Sequence, residues 1–374
     1  MSEKLGLVMT GGGARGAYQV GVTRAIYEIL GKKERLFEVI SGNSAGAINS
    51  TYLAANAENW DVATQNLIDL WRKIKPQNVY DLRGRTITDL GVKWVSGAVF
   101  GGLTNKGSNV NYLLDTTPLR RLINREINFS HIKQNIDKCH LRGVSLTTTN
   151  YNSGSSVIFY QGDPSIEDWS RSDRFSSRHD LTADHLMASA AIPFFFPPVK
   201  VGQSYYGDGC IRQTTPLSPA IHLGADRLIA IGVRYPHNEG RMKDLTFSLA
   251  SEPTIGQICG IMLNAIFLDS LESDVERLLR INALISEGRS PELKPIPILM
   301  IRPSRDLGKM TESLARELPL SLKYLLKGIG VSETEGLDLL SYLAFDESYS
   351  RPLMDLGYSD AYKIRDEILK FSDA

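Results

Sequence analysis

Gly42-Asn43-Ser44-Ala45-Gly46 is the strongest chemical signal in the sequence. It matches G-x-S-x-G, follows the apolar Val39-Ile40 and precedes a helix-like run from Ala45. On such a strand-to-helix turn the serine hydroxyl stands clear of the backbone, free to attack a carbonyl. Upstream, Gly11-Gly12-Gly13-Ala14-Arg15-Gly16 makes a second transition of this kind. Backbone N–H groups at a helix start have no helical acceptors, and they suit an oxyanion. A nucleophile and an anion cradle point to acyl transfer. The plain alternative is a glycine-rich turn whose Ser44 only caps the next helix.

A serine hydroxyl needs a base. In the usual α/β-hydrolase order a late histidine supplies it. The candidates after Ser44 are His131, His140, His179, His185, His222 and His237. None lies on a compelling strand-end loop near the C-terminus. His185 and His222 sit in apolar helical contexts that favour a structural role, which leaves His237, after Tyr235-Pro236, as the triad candidate. Asp208 is more attractive. It stands between Gly207 and Gly209 at the end of a tyrosine-bearing strand, where its carboxylate can approach another backbone. Desolvation raises a carboxylate pKa and makes it a usable base.

Four blocks together resemble the patatin-like phospholipases: the glycine run 11–16, Gly42–Gly46, Ala188-Ser189-Ala190-Ala191-Ile192-Pro193 and Asp208-Gly209. They occur in the family's order over about the first 235 residues. The resemblance implies a Ser–Asp dyad without histidine, with Ser44 as nucleophile and Asp208 as base. The N–H groups of Gly11, Gly12 and Gly13, helped by that of Ala45, would form the oxyanion hole. Arg15 falls where the family carries a basic residue, bracing the loop or meeting a phosphate. The implied activity is hydrolysis of lipid or lysolipid acyl esters, with no cofactor or metal. Cys210 departs from the family pattern, which has glycine or alanine after Asp-Gly.

The elements that must position these groups read as α/β. Apolar runs at 5–9, 37–40, 141–146, 156–160, 228–233 and 296–301 read as strands, and 14–30 and 45–55 as helices. Strands alternating with helices imply parallel strands covered on both faces. The expectation is a three-layer α/β/α patatin-like fold with a mostly parallel central sheet. Val199-Lys200-Val201 and Ser204-Tyr205-Tyr206 form a hairpin that delivers Asp208. Thr182 caps a helix that runs through Ala188-Ser189-Ala190. Segments 93–106 and 162–180 read as loops or lids. Helices are expected at 314–326, 336–343 and 360–371. Residues 1–235 are expected to make the catalytic core, and 236–374 to complete the sheet and add a helical extension within the same domain.

Lys+Arg and Asp+Glu are equal at 42 each, so net charge gives no sign of nucleic acid. Cys139, Cys210 and Cys259 are too scattered for a disulfide framework or a zinc site. With no signal-like start and no run of roughly 18 apolar residues, a cytoplasmic protein is expected. Trp94, Val95, Val99 and Phe100, or the segment 255–268, are candidates for transient contact with a membrane surface. For 255–268 a packed core helix is favoured. Oligomeric state is not readable.

Two rival readings remain. Gly11-x-Gly13-x-x-Gly16 also satisfies a dinucleotide fingerprint, with Glu38 as the acidic partner. Yet Glu38 precedes Val39-Ile40, and the strand ends in the serine motif. A phosphate-binding P-loop fails because Ala17-Tyr18 replaces Lys-Ser/Thr. A non-catalytic lipid-binding protein of the same fold is the other alternative.

Overall fold

The computed structural model describes residues 3–31, 33–81, 112–236, 254–289, 292–312 and 337–373. Ten strands form its sheet: β1 (Leu5–Met9), β2 (Val39–Asn43), β3 (Gly143–Asn150), β4 (Ser156–Gly162), β5 (Ser170–Arg171), β6 (Arg174–Arg178), β7 (Val199–Val201), β8 (Ser204–Asp208), β9 (Arg227–Ile231) and β10 (Ile298–Ile301). The helices discussed below are α1 (Ala17–Ile29), α2 (Ala45–Ala55), α3 (Trp60–Lys73), α4 (Thr117–Glu126), α5 (Ser130–Asp137), α6 (Ala183–Ser189), α7 (Ser218–His222), α8 (Ile255–Ser286), α9 (Leu337–Leu343), α10 (Glu347–Lys363) and α11 (Arg365–Asp373).

Strand order is β10-β9-β1-β2-β3-β4-β6-β5, parallel from β10 to β3 and antiparallel from β3 to β4. Successive side chains of a strand face opposite ways, and here both faces are covered. Leu7 and Met9 join the core containing α1, α2 and α10, whereas Val8 joins a second core with Leu271 and Val275 of α8. The expected three layers with a mostly parallel sheet are present.

The register of β3 decides where the site forms. β4 covers one edge of β3 from Gly143 to Thr149, so β2 and β8 share the other edge. β2 leaves at Asn43 opposite Thr147, and β8 arrives antiparallel with Asp208 opposite Thr148. The C-terminal ends of β2 and β8 therefore meet head to head. In open α/β sheets, ligands bind at such carboxyl ends.

Several boundaries differ from the sequence reading. Segment 162–180 is not all loop: β5 and β6 lie within it, with β6 parallel to β4. Both strands are made of serine and arginine apart from Phe175 and lie exposed or half-exposed, so they carry no apolar strand signal. The last helix expected is two, since α10 and α11 break at Ile364. α8 is not packed all round. Gly256, Gly260, Leu263 and Phe267 are buried, while Ile255, Ile258, Ile261 and Met262 are exposed. By length and composition alone it is the one described helix able to cross a membrane; a third of its apolar window is buried. Segments 93–106 and 314–326 lie outside the described residues.

Candidate active site

Ser44 sits between β2 and α2 with φ 52° and ψ −126°. A non-glycine residue in that region costs on the order of 1–3 kcal/mol, so the surroundings must hold it there. Close packing contributes: a Cβ on Gly46 would overlap the backbone carbonyl of Met9. A hydrogen bond contributes too. Ser44 N–H donates to Ser189 Oγ at 3.1 Å, and Ser189 Oγ donates to the Thr147 carbonyl at 2.7 Å. The block containing Ser189 thus anchors the turn to β3.

The same block anchors Asp208, whose N–H donates to the Ala191 carbonyl at 3.1 Å. Thr149 Oγ1 donates to the Asp208 carbonyl at 2.8 Å. The Asp208 side chain is fully buried; Oδ1 accepts from Cys210 N–H at 2.9 Å. Oδ2 has no partner within hydrogen-bond geometry, although the neighbouring Ser44 hydroxyl acts on the carboxyl. Such bonds are often long before substrate arrives. Burial pushes the Asp208 pKa up to about 6, against the Ser44 and Cys210 interactions that lower it.

Cys210 fills the place that the resemblance leaves to a smaller residue. Its Sγ accepts from Asn43 Nδ2 at 3.3 Å and touches Gly11, where an added Cβ would lie 2.5 Å from the sulfur and 2.9 Å from Ser44 Cβ. Burial, then Asp208, drives its thiol pKa well up, so it stays neutral. Gly11 N–H is directed at this sulfur, so of the four N–H groups expected in the cradle it is already engaged. Gly12 and Gly13 both take positive φ, 159° and 56°.

Buried amides hold the glycine loop from behind. Gln19 Nε2 donates to the Thr10 carbonyl at 2.7 Å, Asn49 Nδ2 to the Gly16 carbonyl and Gln19 Oε1 at 3.1 Å each, and Trp71 Nε1 to Asn49 Oδ1 at 2.9 Å. Arg15 is buried and turned toward α9. Its Nε donates to Ser341 Oγ at 2.7 Å, its Nη2 pairs with Asp338 at 2.8 Å, and its guanidinium lies 4.6 Å from the Tyr342 ring centroid. Burial disfavours its charge, but Tyr342, Tyr349 and Asp338 outweigh that and raise its pKa. Of the two roles considered, this geometry has the form of a brace.

An apolar pocket opens on Gly13, Ser44 and Ala45. Ile48, Trp71, Ile123, Ile192, Phe196 and Phe345 are among its walls. Sequence reasoning missed most of this lining. Trp71 and Ile123 look like ordinary core positions of amphipathic helices, and Phe345 follows a segment with no motif.

No histidine among the described residues lines that pocket. His185 Nδ1 accepts from Thr182 N–H at 3.2 Å, and burial lowers its pKa to about 4. His222 stacks on Trp169 with ring centroids 4.7 Å apart. His237 lies outside the described residues. Glu38 is likewise at the wrong end for a ribose: its Oε2 accepts from Leu5 N–H at the start of β1, across the sheet from the glycine loop. Among the described residues no cluster of metal-ligating side chains occurs.

No curated protein sequence matches the chain. Among solved structures it is similar to VipD from Legionella pneumophila, with 13% identity over 98% of this chain and 67% of that one, at a TM-score of 0.35. It is similar to human GIVD cytosolic phospholipase A2 at 13% identity, covering 99% of this chain and 60% of that one, at a TM-score of 0.48. The chain therefore spans about 60% of the length of that human protein. The description "Patatin-like phospholipase" belongs to the family model that matches residues 7–221, from β1 through the Asp208 turn into α7. More than half the chain matches, and the chain belongs to the patatin-like phospholipase family.

Proposed function

We propose that this protein hydrolyses carboxylic esters of lipids through an acyl-enzyme on Ser44, with Asp208 as general base. The observation that carries this reading is the meeting of β2 and β8, which sets a strained serine against a buried carboxylate beside an apolar pocket. The acyl chain enters the pocket and holds its carbonyl against Gly12 and Gly13. Ser44 Oγ attacks the carbonyl carbon as its proton passes to Asp208. The tetrahedral oxyanion accepts N–H bonds from the glycine loop and from Ala45. On collapse the C–O bond breaks, Asp208 returns the proton to the departing alkoxide, and the acyl group stays on Ser44. A water, deprotonated by Asp208, then releases the fatty acid. Ser44 and Asp208 are both shielded from solvent, which strengthens every electrostatic term in the step.

The test is a panel of phospholipids, lysophospholipids and monoacylglycerols with purified protein over a range of pH. Asp208 must be ionised to accept the proton, so kcat/KM rises with pH through about 6 and falls roughly tenfold per unit below it. An acid limb near the usual carboxylate value of about 4 would argue against a buried base. No hydrolysis of any ester favours the lipid-binding alternative.

Ser189 carries a further expectation. Ser189→Ala removes the acceptor for Ser44 N–H and frees the turn from β3. A reduction in kcat of about tenfold or more with KM little changed is expected, since a small displacement of a nucleophile is costly. Unchanged kcat in a steady-state assay would show that packing alone holds the turn.

A further inference from the structure

The pocket at Ser44 ends against a second, polar pocket, and the two share Leu70, Ile74, Leu122 and Glu126. Beyond this wall stand Asn66, Asp69, Lys73, Asn78 and Arg125. The spacing can be read along α2, which starts at the nucleophile. Ile48, one turn in, lines the apolar pocket, whereas Tyr52, the next turn, lines the polar one. At 1.5 Å per residue, Tyr52 lies about 12 Å along the helix axis from Ser44.

We infer that Leu70, Ile74 and Leu122 form a chain-length stop and that the preferred substrates are esters of medium-chain acids. This rests on the hydrolase reading above. An extended acyl chain advances somewhat less than one C–C bond length per carbon, and the wall falls short of Tyr52, so the apolar pocket accommodates at most roughly ten carbons. Up to that length each methylene leaves water for apolar walls. A longer chain must push its end through the leucines into a cleft whose groups are hydrated and paired, as Arg125 Nε is with Glu126 at 2.7 Å. Stripping water from those groups gives no compensating hydrogen bond, because a methyl group offers none. Leu70 and Leu122 are each only half-buried, so the wall is thin and can be altered without cutting into the core.

The experiment measures kcat/KM for 4-nitrophenyl esters from butyrate to palmitate with wild type, Leu122→Ala, Leu70→Ala and Leu122→Trp. For wild type, kcat/KM is expected to climb by up to about fourfold per added methylene and to turn over at or below about ten carbons. Leu122→Ala and Leu70→Ala each move the turnover to longer chains, and Leu122→Trp moves it to shorter ones. Each variant's own profile is the readout, so a general loss of activity does not mimic a shift. Circular dichroism melts identify a variant that has not folded, and the other leucine then carries the test. A wild-type profile still rising at palmitate, or a turnover unmoved in folded variants, overturns the stop. Absence of hydrolysis at every length removes the hydrolase reading, and the stop with it.

Discussion

Ser44→Ala is expected to lower ester turnover on the order of 10⁴- to 10⁶-fold, the range seen when a serine nucleophile that works in concert with its base is removed. Residual activity would come from the glycine loop and the apolar pocket, which bind the ester without attacking it. The fold should survive. Alanine keeps the turn's contacts, including the Ser44 N–H bond to Ser189 Oγ, and loses only the hydroxyl. The backbone strain at φ 52° stays, so Ser44→Gly should be the more stable of the two variants by about 1 kcal/mol. Steady-state kinetics with an ester and a thermal melt of both variants check this. Wild-type activity in Ser44→Ala would remove Ser44 from the reaction.

Asp208→Asn gives the second large effect, in two opposite directions. Turnover falls by orders of magnitude, since the amide cannot take the serine proton. Stability at pH 8 moves the other way. The Asp208 pKa is raised on folding from 3.8 to about 6, so the folded state holds this proton more tightly than the unfolded chain. Ionisation therefore costs no folding energy below about pH 4, and the cost grows up to about pH 6. Above that it is constant at on the order of 3 kcal/mol. Asparagine carries no charge, can still accept from Cys210 N–H through Oδ1, and can donate to Ser44 Oγ. The variant should melt a few degrees higher than wild type at pH 8, with the gain vanishing near pH 4. An active variant, or one less stable at pH 8, would contradict the assignment. A base poised this way is a cost that the core of β3 and β8 sustains.

Much of this site is legible in the residues because its local rules are strict. The turn around Ser44 needs Gly46, since any side chain there meets Met9, and so it leaves a mark in the sequence. The glycine loop is marked for a similar reason at Gly11, which touches both Ser44 and Cys210. Asp208 stands out only through the family resemblance, because Gly207-Asp208-Gly209 alone reads as a plain turn. The strands β5 and β6 leave no such mark, because strands with little apolar burial have no alternation to reveal them.

What no local rule encodes is contact between distant segments. Arg15 finds Asp338 and Ser341 more than three hundred residues away, and Phe345 reaches the pocket from the region beyond the recognisable blocks. Any amphipathic helix would display the same Leu70 and Leu122, yet only the packing of α2, α3 and α4 makes them a wall. The residue sequence by itself determined the family, the α/β class and the glycine-rich turns that hold the candidate groups, because strained turns admit few residue types. Tertiary structure alone decided that β2 and β8 meet end to end, how dry the carboxylate is, and how deep the pocket runs. Those depend on register and packing, in which many apolar side chains serve equally well.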